Sequence, residues 1–310
     1  MIWNTLDGQP TRIIAHRGAS GYLPEHALAA YDLGVQIGAD VIEPDLVMTR
    51  DHQLLVRHDA GLDRSTDIAT HVPFANRKRV GLDGHIDWWT SDFARAELRV
   101  LRPRQPFATR AQTFPESVIL DFQETLQWFL MARESRPFAL YPELKHPEWF
   151  AEQRLDVVSQ CVRDLQAVGL QGRASPVWIQ CFKLAPLRLM REQTDNPVFA
   201  LFDSAQIGDA AWLTDTLHRH PYLDGVALPK SAWFGHAGAS LVDVAHAAGR
   251  QAHAWTIRDD QVGAGFASSA AELERLFALG VDAIFCDFPD TALVARQRFG
   301  ATPDKPSRSP

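Results

Sequence analysis

Cysteine is scarce: Cys161, Cys181 and Cys286 are the three in 310 residues, odd in number and widely spaced. That spacing excludes a disulfide framework and the paired-cysteine pattern of a structural zinc site. Long apolar runs are missing too. None approaches the ~20 residues a membrane-spanning helix needs, so no membrane span is expected. Residues 1–8 carry neither a basic start nor an apolar stretch. No secretory signal is read there, and a cytoplasmic setting is expected, or a periplasmic one if a signal has been removed. Basic charge is in deficit, with 31 Lys and Arg against 38 Asp and Glu, a formal net charge of −7. A general nucleic-acid binder shows a basic face, so no nucleic-acid partner is expected. The deficit does not exclude a phosphate substrate, because only charge at the site decides that. The sequence is silent on oligomeric state.

What is present is a regular alternation of short β-type runs and helical ones. Strand candidates are 12–15, 40–47, 138–144, 176–182, 198–202, 225–228, 252–257 and 283–287. The clearest helical patterns are 25–37, 148–168, 240–248 and 270–279. Each runs into a glycine (Gly38, Gly169, Gly249, Gly280), the stop expected before a strand. Eight strands alternating with helices predict an α/β fold, a (β/α)8 TIM barrel, with an open doubly wound sheet as the alternative. One stretch, about 59–115, breaks the pattern with turn signals, scattered charge, Trp88-Trp89 and the run Arg77-Lys78-Arg79. It is too long for an ordinary strand-to-helix loop and reads as an insertion after the second strand, over the C-terminal mouth of the barrel. A single domain is expected over 1–300, followed by a Pro- and Ser-rich tail, 301–310, expected to be disordered.

Charge collects where strands end. Ile13-Ile14-Ala15-His16-Arg17-Gly18 is an apolar strand running into a histidine, an arginine and a glycine turn. In a barrel this places His16 and Arg17 at the C-terminal face, where active sites sit. A histidine moves protons near neutral pH and an arginine grips a phosphate, although a capping histidine beside a solvated arginine would look the same. Val41-Ile42-Glu43-Pro44-Asp45-Leu46 puts two carboxylates two residues apart, on one face of a strand. Buried together they repel, and either a hard divalent cation or an ion pair with Arg17 would relieve them. Tyr141-Pro142-Glu143-Leu144-Lys145 repeats the arrangement. Glu143 can complete a three-carboxylate metal site and Lys145 can meet phosphate oxygens, or the two can pair with each other. His58, just past the second strand, could be a surface residue or the second half of an acid–base pair with His16.

Taken in order, His16-Arg17-Gly18-Ala19-Ser20-Gly21-Tyr22-Leu23-Pro24-Glu25-His26, Glu43-Pro44-Asp45 and His58-Asp59 resemble the opening signature of the glycerophosphodiester phosphodiesterase family. Tyr141 to Lys145, Trp178-Ile179-Gln180-Cys181-Phe182, Ala254-Trp255-Thr256 and Phe285-Cys286-Asp287-Phe288-Pro289-Asp290 continue it, so the resemblance covers about 12–295. It implies a TIM barrel with an insertion after the second strand. It also implies one divalent cation, Mg2+ or Ca2+, on Glu43, Asp45 and Glu143, and an acid–base pair of His16 and His58. Phosphate would lie on Arg17 and Lys145, with Gln180 and Trp255 lining the pocket. The implied reaction is hydrolysis of a small glycerophosphodiester to sn-glycerol 3-phosphate and an alcohol such as choline or ethanolamine. His16 is the expected base and His58 the expected acid.

Three positions depart from the common pattern. Ala27 stands where a threonine is frequent, Pro44 fills the variable site between the carboxylates, and Ile257-Arg258 replaces a common Val-Asn. None removes an expected ligand or acid–base residue; the last puts substrate preference in question. Trp233, Phe234 and Trp255 are candidates for cation–π contact with a choline headgroup. Three other readings compete. A lysophospholipase D on lipid-like diesters would need an apolar groove or a membrane-binding surface, and no basic amphipathic helix of that type is evident. A barrel glycosidase would leave both histidines without a task. A non-enzymatic phosphodiester-binding barrel would not need the full set of histidines and carboxylates.

Overall fold

The computed structural model describes residues 3–235 and 237–301. The expected disordered tail beyond residue 301 lies outside them. Eight strands form the core: β1 (Arg12–His16), β2 (Val41–Glu43 and Asp45–Met48), β3 (Ala139–Leu140 and Glu143–Leu144), β4 (Ile179–Cys181), β5 (Val198–Leu201), β6 (Gly225–Pro229), β7 (Gln251–Ile257) and β8 (Ala283–Cys286). All are parallel and pair in sequence order, from β1 with β2 to β7 with β8. β8 then pairs with β1, from Arg12 opposite Ala283 to Ala15 opposite Cys286, which closes the ring. The open-sheet alternative is thereby excluded.

β2 and β3 are each split by a proline, Pro44 and Pro142, because proline has no N–H to give the ladder. Both halves stay in register, Val41 and Ile42 against Ala139 and Leu140, then Asp45 against Glu143. The proline carbonyls still accept hydrogen bonds, from Glu143 N and Gln180 N at 2.9 Å each.

Alternate residues face in and out. Ile14, Val41, Tyr141, Phe199, Leu201, Ala227, Ala283 and Phe285 fill the ring's interior as one buried cluster. Ile13, Ile42, Leu46, Val226 and Ile284 face outward into the larger cluster beneath the helices. Within the ring, His253 stacks on Phe199 at 4.5 Å. Its two ring nitrogens are hydrogen-bonded to the Tyr141 hydroxyl (3.1 Å) and to Gln251 Oε1 (2.9 Å).

Gly38, Gly169, Gly249 and Gly280 all adopt the left-handed conformation that ends a helix, with φ of 107°, 71°, 67° and 87°. Two expected helices differ. The first begins at Leu28, not Glu25, because His26 turns left-handed (φ 63°). The predicted 148–168 helix is two, Pro147–Glu152 and Val157–Ala167. Asp156 starts the second by accepting from Ser159 N at 3.0 Å.

After β2 the chain doubles back as Leu54–Val56, antiparallel to Asp45–Met48, and Arg57 N bonds Asp45 O at 2.9 Å. That return carries His58 to the barrel mouth. Residues 57–121 then run through short 3-10 turns, a two-stranded ribbon (Arg79–Val80 with Ile86–Asp87) and one helical turn, Arg95–Leu98. The basic run is spent inside this segment: Arg77 pairs with Glu97, Lys78 with Asp63 and Arg79 with Asp92. Farther along, Gln105 donates to the Ser20 and Leu23 carbonyls and Arg110 pairs with Asp287 at the end of β8. No described helix is long and apolar enough to cross a membrane.

Candidate active site

The first strand delivers two groups with different jobs. His16 ends β1 pointing inward, and its Nδ1 lies 2.7 Å from Asp287 Oδ1. Arg17 then turns left-handed (φ 59°), which aims its backbone N at Glu43 Oε2, 2.9 Å away. Gly18 follows at φ 81°; a Cβ there would lie 2.6 Å from the Ala30 carbonyl carbon, so only glycine lets the turn lie against the first helix. The Arg17 guanidinium reaches Glu25 Oε2 at 2.7 Å and Asp45 Oδ2 at 3.2 Å.

Glu43, Asp45 and Glu143 converge from β2 and β3, each offering an oxygen within 4.8 Å of the others. Lys145 Nζ lies 2.8 Å from Glu143 and 4.0 Å from Asp45, and Gln180 Nε2 donates to Glu43 Oε1 at 3.2 Å. His26 Nε2 is 2.9 Å from Asp45 Oδ2, with its other nitrogen 2.9 Å from the Tyr31 hydroxyl. His58 Nδ1 lies 2.6 Å from Asp59 Oδ1. His16, Arg17, Glu43, His58, Glu143, Lys145 and Gln180, with Phe182, Leu201, Trp255, Thr256, Arg258 and Phe285, wall a cavity of about 100 Å³.

Burial, then Asp45, pushes the Glu43 carboxyl well above its ordinary range. Burial also raises Glu143 to about 7, against the pull of Lys145. Asp45 goes the other way: burial would raise it, but Lys145 and Arg17 outweigh that and hold it well below the usual carboxylate range. Three carboxylates this close cannot all ionise without more positive charge than Arg17 and Lys145 supply. Asp45 Oδ1 is buried with no hydrogen-bond partner. An all-oxygen donor set with an uncommitted buried oxygen fits a hard divalent cation. The two sequence alternatives are both present here, since Arg17 and Lys145 pair with the same carboxylates that could hold a metal.

Both histidines hold a proton less tightly than a free imidazole. Burial, then Arg17, lowers His16 to about 4; burial, then Arg17 and Lys145, lowers His58 to about 3. With Nδ1 held by an aspartate, Nε2 is the nitrogen left for proton transfer.

Nine residues singled out in the sequence, His16, Arg17, Glu43, Asp45, His58, Glu143, Lys145, Gln180 and Trp255, lie together at this site. Trp233 and Phe234 do not line it. Trp233 is fully buried with its Nε1 on the Leu228 and His253 carbonyls, and Phe234 packs on Phe266. Sequence reasoning gave no task to Glu25, His26, Asp59 or Asp287, the residues that hold the others. Their signal was only adjacency to the motifs, since a partner such as Asp287 lies 271 residues from His16.

A ring closed at eight strands, with two histidines, two basic side chains and a carboxylate triad at its C-terminal mouth, has the parts of a barrel hydrolase. The chain belongs to the glycerophosphoryl diester phosphodiesterase family, whose family model matches residues 16–291. It is 29% identical over 316 residues to glycerophosphodiester phosphodiesterase GDPD6 of Arabidopsis thaliana, covering 89% of this chain and 83% of that one. It is 33% identical over 196 residues to the glycerophosphodiester phosphodiesterase of Haemophilus influenzae, covering 58% of this chain and 52% of the other. Among solved structures it resembles an Oleispira antarctica phosphodiesterase in complex with the product sn-glycerol-3-phosphate, at TM-score 0.67, 21% identity and 94% and 99% coverage. It also resembles the glycerophosphodiester phosphodiesterase of Thermotoga maritima, at TM-score 0.61, 16% identity and the same coverage.

Proposed function

We propose that this protein hydrolyses small glycerophosphodiesters to sn-glycerol 3-phosphate and a free alcohol, with one divalent cation, Mg2+ or Ca2+. The observation that carries this reading is a buried carboxylate triad at a cavity shared with two histidines, each held at Nδ1 by an aspartate. Glu43, Asp45 and Glu143 would hold the cation, which neutralises charge developing on the phosphoryl oxygens. Arg17 and Lys145 add positive charge on the same side of the cavity and orient the diester.

His16 is assigned as base. Its Nε2 takes a proton from the attacking hydroxyl, and Asp287, held ionised by His16, Arg258 and Arg110 despite its burial, stabilises the resulting imidazolium. His58 is assigned as acid, giving its proton to the departing alcohol oxygen. It sits nearer solvent, with its side chain 26% exposed against 11% for His16. A diester anion lodged between Arg17 and Lys145 offsets the charges that depress His58 and so raises its hold on a proton. Gln180 and Trp255 are assigned to the pocket wall.

The test is release of glycerol 3-phosphate from glycerophosphocholine, glycerophosphoethanolamine and glycerophosphoinositol, in EDTA and after Mg2+ or Ca2+ is restored. Activity lost in chelator, recovered with metal and missing from Glu43→Ala is expected. Activity indifferent to chelator would overturn the metal reading. No product from any diester with any metal would overturn the function itself.

A further inference from the structure

Arg258 follows β7 and shares a cavity wall with His16, Trp255 and Thr256. Its Nε is anchored on Asp287 Oδ2 at 2.8 Å, the carboxylate whose other oxygen holds His16. Its two terminal nitrogens make no hydrogen bond among the described residues. Asp287 lies behind it, 2% exposed against 23% for Arg258, so the charge this wall presents to the cavity is positive.

Two aromatic rings nearby, Phe107 and Phe182, are already approached by cations, while Trp255 gives its Nε1 to the Ala227 carbonyl and packs against Phe182. Phe107, from the inserted segment, is approached by Arg110 at 4.1 Å, Arg64 at 5.6 Å and Arg258 at 5.9 Å. Lys145 Nζ lies 5.7 Å from the Phe182 ring, and Phe182 itself stands edge-on to Trp255. A quaternary ammonium needs a free aromatic face and no neighbouring cation. Phe107 and Phe182 offer it neither. An anionic group, by contrast, meets a guanidinium that is oriented by one nitrogen and free at two, the geometry that favours bidentate contact with carboxylate or phosphate.

From this we infer that Arg258 is a specificity residue that selects diesters whose alcohol arm carries its own negative charge, a phosphate or a carboxylate, over those with a cationic headgroup. The inference rests on the phosphodiesterase reading and names the substrate class of that same cavity.

A matched pair isolates the added charge: glycerophosphoinositol and glycerophosphoinositol 4-phosphate differ by one phosphate, and glycerophosphocholine supplies the cationic arm. The wild-type enzyme, loaded with metal, is expected to favour the phosphorylated diester over glycerophosphocholine in kcat/KM, with the difference mainly in KM. Arg258→Gln keeps a hydrogen-bonding side chain near Asp287 and removes the charge. It should cut the ratio of phosphorylated to unphosphorylated inositol substrate by about tenfold, the scale of one charge-assisted contact. Arg258→Lys should restore part of that ratio. Because the readout is a ratio, any general loss from disturbing Asp287 and His16 cancels. A wild type that prefers glycerophosphocholine, or a ratio unmoved by Arg258→Gln, would overturn the assignment. Failure to cleave all three diesters would instead overturn the phosphodiesterase reading beneath it.

Discussion

Burial lowers the proton affinity of His253 inside this barrel and of His16 and the half-buried His58 at its mouth alike: His16 to about 4, His58 and His253 to about 3. Their depressed proton affinities do not tell them apart; their hydrogen bonds do. Halfway down the ring, His253 has both nitrogens bonded, to Tyr141 and Gln251, and lies flat on Phe199. At the mouth, His16 and His58 are each bonded at Nδ1 alone among the described residues. A buried imidazole with two partners is a packing element, and one with a single carboxylate partner and an open nitrogen can do proton chemistry.

The largest effect tests that division directly. His16→Ala or His58→Ala should lower kcat by about 100- to 10,000-fold on glycerophosphoinositol while the melting temperature moves little. Full activity in either variant would end the acid–base assignment. Asp287→Asn keeps the shape but weakens the hold on His16, and kcat should fall about 10- to 100-fold. A pH–rate profile that shifts with this substitution would separate positioning from mere packing.

The interior histidine should respond in the opposite currency. Tyr141→Phe removes the partner of His253 Nδ1 and should cost about 1–3 kcal/mol in urea unfolding, with kcat changed only a few-fold. A collapse of activity at unchanged stability would put His253 among the chemical histidines. The pH dependence follows from the same burial. The folded-state affinity of His253 lies near pH 3 and the unfolded one near 6.5, so between those values the unfolded chain binds the extra proton. Its contribution is therefore fully present above pH 6.5 and lost as pH falls toward 3, about 1.4 kcal/mol per unit. A His253→Phe variant, if it folds, should show a shallower fall between pH 6.5 and 5. The smallest effect belongs to the inserted segment: Arg79→Ala breaks an exposed pair with Asp92 and should cost under about 1 kcal/mol, with no change in kcat.

The sequence made the barrel readable because its outward-facing Ile and Val runs and its helix-ending glycines report local requirements that each position meets alone. Glu43, Asp45 and Glu143 were readable for the same reason: spacing two residues apart puts carboxylates on one strand face whatever the rest of the chain does. The partners were not readable. That Asp287 holds His16, that His26 braces Asp45 and that Arg110 crosses from the insertion to Asp287 depend on ring closure and on a left-handed turn at His26. No local pattern encodes those meetings. Trp233 shows the converse error: an aromatic near the right place in sequence was spent on the core, because its indole N–H found two carbonyls there.

The pairing of β1 with β8 has a consequence for biosynthesis. His16 leaves the ribosome near the start of translation, and the aspartate that orients it is made 271 residues later. The upper half of the ring can collect its carboxylates as soon as β3 has emerged, but the imidazole waits for the last strand. A chain stopped before β8 would therefore carry the carboxylate triad without the aspartate that holds His16.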